Sequence, residues 1–170
     1  ILIIDKVGII GQALAEKLKD QFIIVIVTEK NIQPQKNLIY IHYGKKIPEI
    51  PDEPYAAIIT IYNAENSTLD MLPAIIKKIN ETNSRLLLIT SLYHIDEKIK
   101  NFFSQNTFEK ITPVIHAELF GNDELGENSL SRYIHQIRVS QKIEIPGSGL
   151  QKSYPVHFDD TCDALLALTF

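Results

Sequence analysis

Asp5, Gly8 and Gly11 stand at even spacing in ILIIDKVGIIGQAL, residues 1 to 14, where a short apolar strand gives way to a turn and the opening of a helix. Two glycines three apart at such a junction suit a phosphate. Gly8 lets the backbone approach an anion and Gly11 lets the helix pack closely on the sheet. The amides at the helix start point at the anion, and the helix dipole favours it. A G-x-x-G-x-x-G turn would have a third glycine at position 5, and this chain has Asp5. An aspartate there adds a side chain and a negative charge where a phosphate would lie. The turn therefore predicts a dinucleotide site made by Asp5, Gly8, Ile10 and Gly11, with Ile10 packed beneath it and Asp5 lowering the affinity.

The elements that must hold this turn in place can be read from hydrophobic periodicity. Apolar strand-like runs alternate with helical patterns, which predicts a parallel sheet with crossover helices. Strands are expected at Ile1 to Ile4, Phe22 to Thr28, Leu38 to Tyr43, Ala56 to Tyr62, Arg85 to Thr90 and Pro113 to Leu119. Helices are expected at Ile10 to Lys19, Thr68 to Glu81, Asp96 to Ser104 and Ser129 to Gln141. In the first helix Ile10, Ala13, Leu14 and Leu18 share one face, and Glu16, Lys17 and Lys19 fall on the other. Four prolines, Pro34, Pro48, Pro51 and Pro54, make residues 31 to 54 the least regular stretch apart from the Leu38 to Tyr43 run. The fold class expected is α/β, a Rossmann-like, doubly wound and mainly parallel sheet with helices on both faces and the first strand central.

Composition narrows the function classes. The 170 residues are 45% hydrophobic and 22% charged with a formal net charge of −4, as in one ordinary soluble domain. There is no basic stripe, so nucleic acid is not an expected partner. Nor does an apolar run reach membrane-spanning length, so a membrane is not one either. A single cysteine, Cys162, excludes an internal disulfide framework. No clustered Cys and His set has zinc spacing, so no metal is expected. A reducing cytoplasm is the default compartment. The sequence opens inside a strand without Met, from which a few residues upstream of Ile1 are expected.

Taken in order, four segments resemble the extended short-chain dehydrogenases, the NAD-dependent epimerases and dehydratases of nucleotide sugars. The first is VGIIGQALAEKL. Then IHAELFGNDE is similar to the strand and turn before the sugar-nucleotide loop, and NSLSRYIHQI to the helix after it. Last, KIEIPGSGLQKSYPVHFDDTCDALLAL resembles the family's hairpin, a strand ending in a His-hydrophobe-Asp-Asp turn, and a helix. The resemblance implies a single NAD(P)-binding Rossmann-like domain over residues 1 to 170, with the substrate lobe largely missing. It implies NAD or NADP as cofactor, a dinucleotide and a nucleotide sugar as partners, and leaves room for a homo-oligomer. Glu29, eighteen positions after Gly11, lies where the family places an acid on the adenosine ribose, which favours NAD. Asn63 and Ala64 fall where a small-residue loop lies against the cofactor.

The family's catalytic pair is a Tyr-x-x-x-Lys on a helix, in which the lysine lowers the tyrosine pKa. Here SLYHIDEKIKNFF follows the fifth expected strand, with Glu97 four beyond Tyr93 and Lys98 five beyond. The motif is absent, and Thr90, Ser91 and Tyr93 are what remains of a catalytic set. Two readings follow. One is a short, divergent member that binds a dinucleotide; the other is a non-catalytic Rossmann-fold scaffold or ligand-binding module.

Other candidates have plainer readings. His157, Asp159 and Asp160 are expected to cap the last helix, with an Asp as N-cap. Glu118 takes the place of a family asparagine and would repel a diphosphate, while Lys152 stands near the usual basic position. Cys162 is expected to be a buried small hydrophobe. Met71, Leu72, Ile75, Ile76 and Ile79 are expected to form a core stripe.

Overall fold

The structure is a computed structural model that describes all residues except 32, 34, 45–47, 63–67, 93–94, 106–108, 122–128, 144–146, 149, 151 and 153. At 68, 69, 105, 129–132 and 135 it describes the backbone alone. The main sheet has six strands: β1 (Leu2–Ile4), β2 (Ile24–Thr28), β3 (Leu38–His42), β4 (Ala57–Tyr62), β5 (Arg85–Ser91) and β6 (Ile111–His116). Their order is β3-β2-β1-β4-β5-β6 and every pairing is parallel. This is the doubly wound Rossmann order, with a switch point beside β1, where chain connections leave in opposite directions.

Strands buried on both faces need apolar side chains in both directions. Leu2, Ile3 and Ile4 of β1 are all fully buried, as are Ile24 and Ile26 of β2 and Ile58 and Ile59 of β4. On one face Ile3, Ile26, Ile59 and Leu87 pack against helix α1 (Ile9–Leu18) and helix α5 (Phe158–Thr169). On the other, Leu2, Val25, Ile58 and Leu86 pack with Met71, Leu72, Ile75 and Ile79 of helix α2 (Leu72–Thr82) and its lead-in, and with Ile99 of helix α3 (Glu97–Gln105). Helix α4 (Ser129–Ser140) follows β7 (Leu119–Phe120), which pairs in parallel with β8 (Val156–His157) in a separate two-stranded sheet.

The expected elements are all present, with boundaries moved for identifiable reasons. Phe22 belongs to the close of α1, its N–H bonding to the Leu18 carbonyl at 3.0 Å, so β2 begins at Ile24. The helix expected at Thr68 divides into a 3-10 turn at Thr68–Met71 and α2. Pro73 explains the division, because a residue without an N–H fits in a helix's first turn and not further in. The sixth strand runs Ile111–His116 rather than Pro113 to Leu119. Pro113 is accommodated inside it because β6 is an edge strand, paired with β5 alone. Leu119 leaves that strand for the small sheet. Among the described residues, the proline-rich stretch at 31 to 54 contains β3 and no helix.

Candidate functional site

The carboxyl end of β1 runs directly into the turn Asp5 to Gly8 and then α1. Gly8 takes a left-handed backbone with φ of 82° and precedes the first helical residue. A Cβ there would meet Thr28 Oγ1 at 2.6 Å and the Lys30 stem at 3.1 Å, so the position excludes every side chain. Gly11 has a different reason to be glycine. Its Cβ would stand 2.7 Å from the Asp5 Cβ and 3.0 Å from Ile3 Cγ2, and this closeness brings the helix start down onto the strand.

Asp5 is 2% exposed, and its Oδ2 accepts the Gly11 N–H at 2.7 Å. The Gly8 and Val7 N–H groups also turn to it, and Lys30 is the cation that acts on it. Burial raises its pKa above the usual carboxylate value, against the opposing pull of those N–H groups and of Lys30. The carboxylate thus lies beneath the turn and caps the third helical residue. The Ile9 and Ile10 N–H groups, at the first two helical positions, find no acceptor among the described residues. The Ile10 side chain is buried in the α1 face of the core.

At the end of β2, the Glu29 N–H bonds to the Lys6 carbonyl at 3.0 Å, and its carboxylate pairs with Lys6 Nζ at 3.3 Å. Lys6 Nζ also lies 5.1 Å above the Tyr43 ring. Thr28 Oγ1 donates to the Lys6 carbonyl and accepts from the Lys30 N–H, both at 3.3 Å. Glu29 is therefore held beside the turn, half exposed.

Thr90 and Ser91 end β5 and are both buried, Thr90 opposite Tyr62 of β4 and Ser91 opposite His116 of β6. Tyr93, Asn63 and Ala64 lie outside the described residues. Sequence reasoning missed Tyr62. Its ring is buried at the carboxyl end of β4, and its hydroxyl donates to Asp96 Oδ2 at 2.6 Å. Asp96 in turn accepts the Ile99 N–H through Oδ1 at 2.9 Å and so caps α3. Burial, and then the Asp96 carboxylate, push the Tyr62 hydroxyl well above its ordinary pKa. It is an anchor for α3 and a poor base. The signal available in the sequence was an aspartate opening a helix pattern, with nothing to show that a tyrosine 34 residues upstream would meet it.

The histidine turn is structural. His157 itself is the N-cap of α5, its Nδ1 accepting the Asp159 N–H at 3.3 Å, so the expected aspartate cap is corrected to a histidine cap. Both aspartates fall in the first turn, where their charge suits the dipole. The ring lies over Gly121, whose φ is 93°, and meets the edge of Phe120 at 5.2 Å. Cys162 is fully buried, with its thiol pushed up to about 11 by burial. Glu118 accepts the Val156 N–H through its carbonyl at 2.8 Å, and Lys152 is exposed. No three His, Cys, Asp or Glu side chains gather as a metal site among the described residues. No described helix is long and apolar enough to cross a membrane.

No family model matches the chain, and no curated protein matches it in sequence. Solved structures do match its fold. One is MoeE5 in complex with UDP-glucuronic acid and NAD, with a TM-score of 0.63 at 15% identity, over 99% of this chain and 71% of that one. Another is TunA, an NAD-dependent NDP-hexosamine 5,6-dehydratase involved in tunicamycin biosynthesis, with a TM-score of 0.64 at 12% identity, over 98% and 70%. At such identities the likeness is one of fold: this chain has the Rossmann-like α/β architecture of these proteins, which is the fold that the resemblance to extended short-chain dehydrogenases implies.

Proposed function

We propose that residues 1 to 170 are one dinucleotide-binding domain of the sugar-nucleotide epimerase and dehydratase type, with NAD as the favoured cofactor and a degenerate catalytic motif. The observation that carries this reading is the turn at the carboxyl end of the central strand. There a left-handed Gly8 and a closely packed Gly11 leave the Ile9 and Ile10 N–H groups for a diphosphate. Glu29, steadied by Lys6, supplies an acceptor for ribose hydroxyls and would repel the extra phosphate of NADP. A nucleotide sugar, the second ligand of MoeE5, is the substrate class that follows. The compartment that goes with it is the cytoplasm, and a homo-oligomer is compatible with it.

A second reading, a ligand-binding scaffold without catalysis, is favoured by one sequence fact. None of the seven tyrosines has a lysine four residues on. Both readings are tested by titrating NAD, NADP and a nucleotide sugar into the chain while following its thermal stability. A ligand that binds only the folded state at 100 times its Kd adds about 2.7 kcal/mol. Stabilisation by NAD beyond that by NADP is the expected result. A chain that none of the three stabilises would overturn the dinucleotide assignment.

A further inference from the structure

The helix start at this turn already serves an anion. The Asp5 carboxylate accepts from Gly11 at 2.7 Å and is faced by the amides of Gly8 and Val7 while being 2% exposed. Successive N–H groups converging in this way form a nest for negative charge. Here the chain fills its own nest. A dinucleotide brought to the Ile9 and Ile10 amides would set its diphosphate over a helix start that the Asp5 carboxyl already occupies.

Resting on the dinucleotide reading above, we propose that Asp5 is an internal counter-ligand that sets the diphosphate affinity of this turn. Its carboxylate holds the nest against a second anion, and a diphosphate binds well only as that carboxylate takes up a proton. A neutral nucleoside, lacking the diphosphate, is indifferent to it.

The surroundings leave Asp5 little other compensation. Lys30 is the cation that acts on it, and Lys6, one residue on, is turned to Glu29 at 3.3 Å. On this face of the sheet β2 presents Ile26 and Thr28, and β4 presents Ile59 and Ile61, none of them ionisable. The α1 side offers Gly11. The raised pKa of the carboxyl agrees with this setting. The sign of the linkage follows. A bound diphosphate raises that pKa further, so binding takes up a proton. Affinity is then fully expressed below the free-state pKa and falls as pH rises through it and above.

The experiment measures NAD and adenosine affinity calorimetrically between pH 5.5 and 8.5 for the whole chain and for Asp5→Asn. The amide of Asp5→Asn keeps an acceptor for Gly11 and has no charge. In the unaltered chain, the NAD affinity is expected to fall at least tenfold across that range and the adenosine affinity to stay level. Asp5→Asn is expected to bind NAD at least tenfold more tightly at pH 8.5, with a flat profile. A flat profile in the unaltered chain, with NAD affinity equal to that of Asp5→Asn, overturns the counter-ligand and leaves the dinucleotide reading standing. Failure of NAD to bind either protein at any pH overturns both. Should Asp5→Asn not fold, the carboxyl carbon of Asp5 is followed by NMR in the unaltered chain. Saturating NAD must raise its titration midpoint, and an unmoved midpoint overturns the proposal.

Discussion

Burying a carboxylate costs free energy unless hydrogen bonds replace the water it gives up, and at Asp5 the replacement comes from backbone N–H groups rather than from a salt bridge. The same closeness makes Asp5 and Gly11 interdependent. A methyl group at Gly11 would press on the Asp5 Cβ at 2.7 Å and on Ile3 Cγ2 at 3.0 Å, so Gly11→Ala is expected to cost about 1–3 kcal/mol, as overpacked cores do. Removing the nearer atom should relieve part of that. In a double-mutant cycle read by denaturant unfolding, Gly11→Ala is expected to cost less in the Asp5→Gly background than in the native one. Equal costs in both backgrounds would mean that Ile3, not Asp5, sets the approach. The glycine spacing and the odd aspartate were both legible in the sequence. The direction of the Asp5 side chain was not, because which of two neighbouring spaces a short side chain enters is decided by packing. Sequence alone set the charge in the path of a phosphate, and the fold turns it under the helix start.

At the scale of elements, apolar runs identified all six strands of the main sheet, most clearly β1, β2, β4 and β5, since a strand buried on both faces must be apolar throughout. Boundaries were less legible, for reasons that differ by element. Pro113 reads as a strand start until the sheet order makes β6 an edge. Phe22 reads as strand until its N–H is found closing α1 and its ring stacked on Phe170 at 4.8 Å. The tie between β4 and α3 belongs here too. Tyr62 and Ile99-capping Asp96 join the end of one element to the start of another, so Tyr62→Phe should cost about 1 kcal/mol, the net value of a hydrogen bond. The Tyr62 hydroxyl, and then the Ile99 N–H, hold the Asp96 carboxyl below its usual pKa. A group depressed in the folded state stabilises it above the unfolded value and loses that contribution as pH falls through the folded one. The cost of Tyr62→Phe, measured by denaturant unfolding, is therefore expected at neutral pH and should shrink in acid. A cost that is the same at both would mean that the hydroxyl's contribution does not depend on the charge of Asp96.

For the whole molecule, topology and chemistry come apart. The sheet order, the left-handed glycine and the close helix approach are those of a Rossmann-like fold, and fold similarity to MoeE5 and TunA extends over nearly the whole chain. A fold is a setting, while reactivity depends on a few groups within it. Thr90 and Ser91 are present at the strand end, but the family's proton-transferring tyrosine has a lysine four residues on, and no tyrosine in this sequence has one there. Without such help a phenol with a pKa near 10 is almost wholly protonated at neutral pH. Tyr62 is committed to Asp96 and is a weaker acid still. Tyr93 has Glu97, not a lysine, four residues on. The chain is thus expected not to interconvert nucleotide sugars at a rate ordinary for such enzymes, even where it binds NAD. An assay that follows NADH absorbance together with sugar products checks this, and the pairing of results decides between the two functional readings. NAD binding without turnover fits the ligand-binding scaffold, whereas robust turnover that vanishes in Tyr93→Phe would establish a catalytic tyrosine working without its lysine.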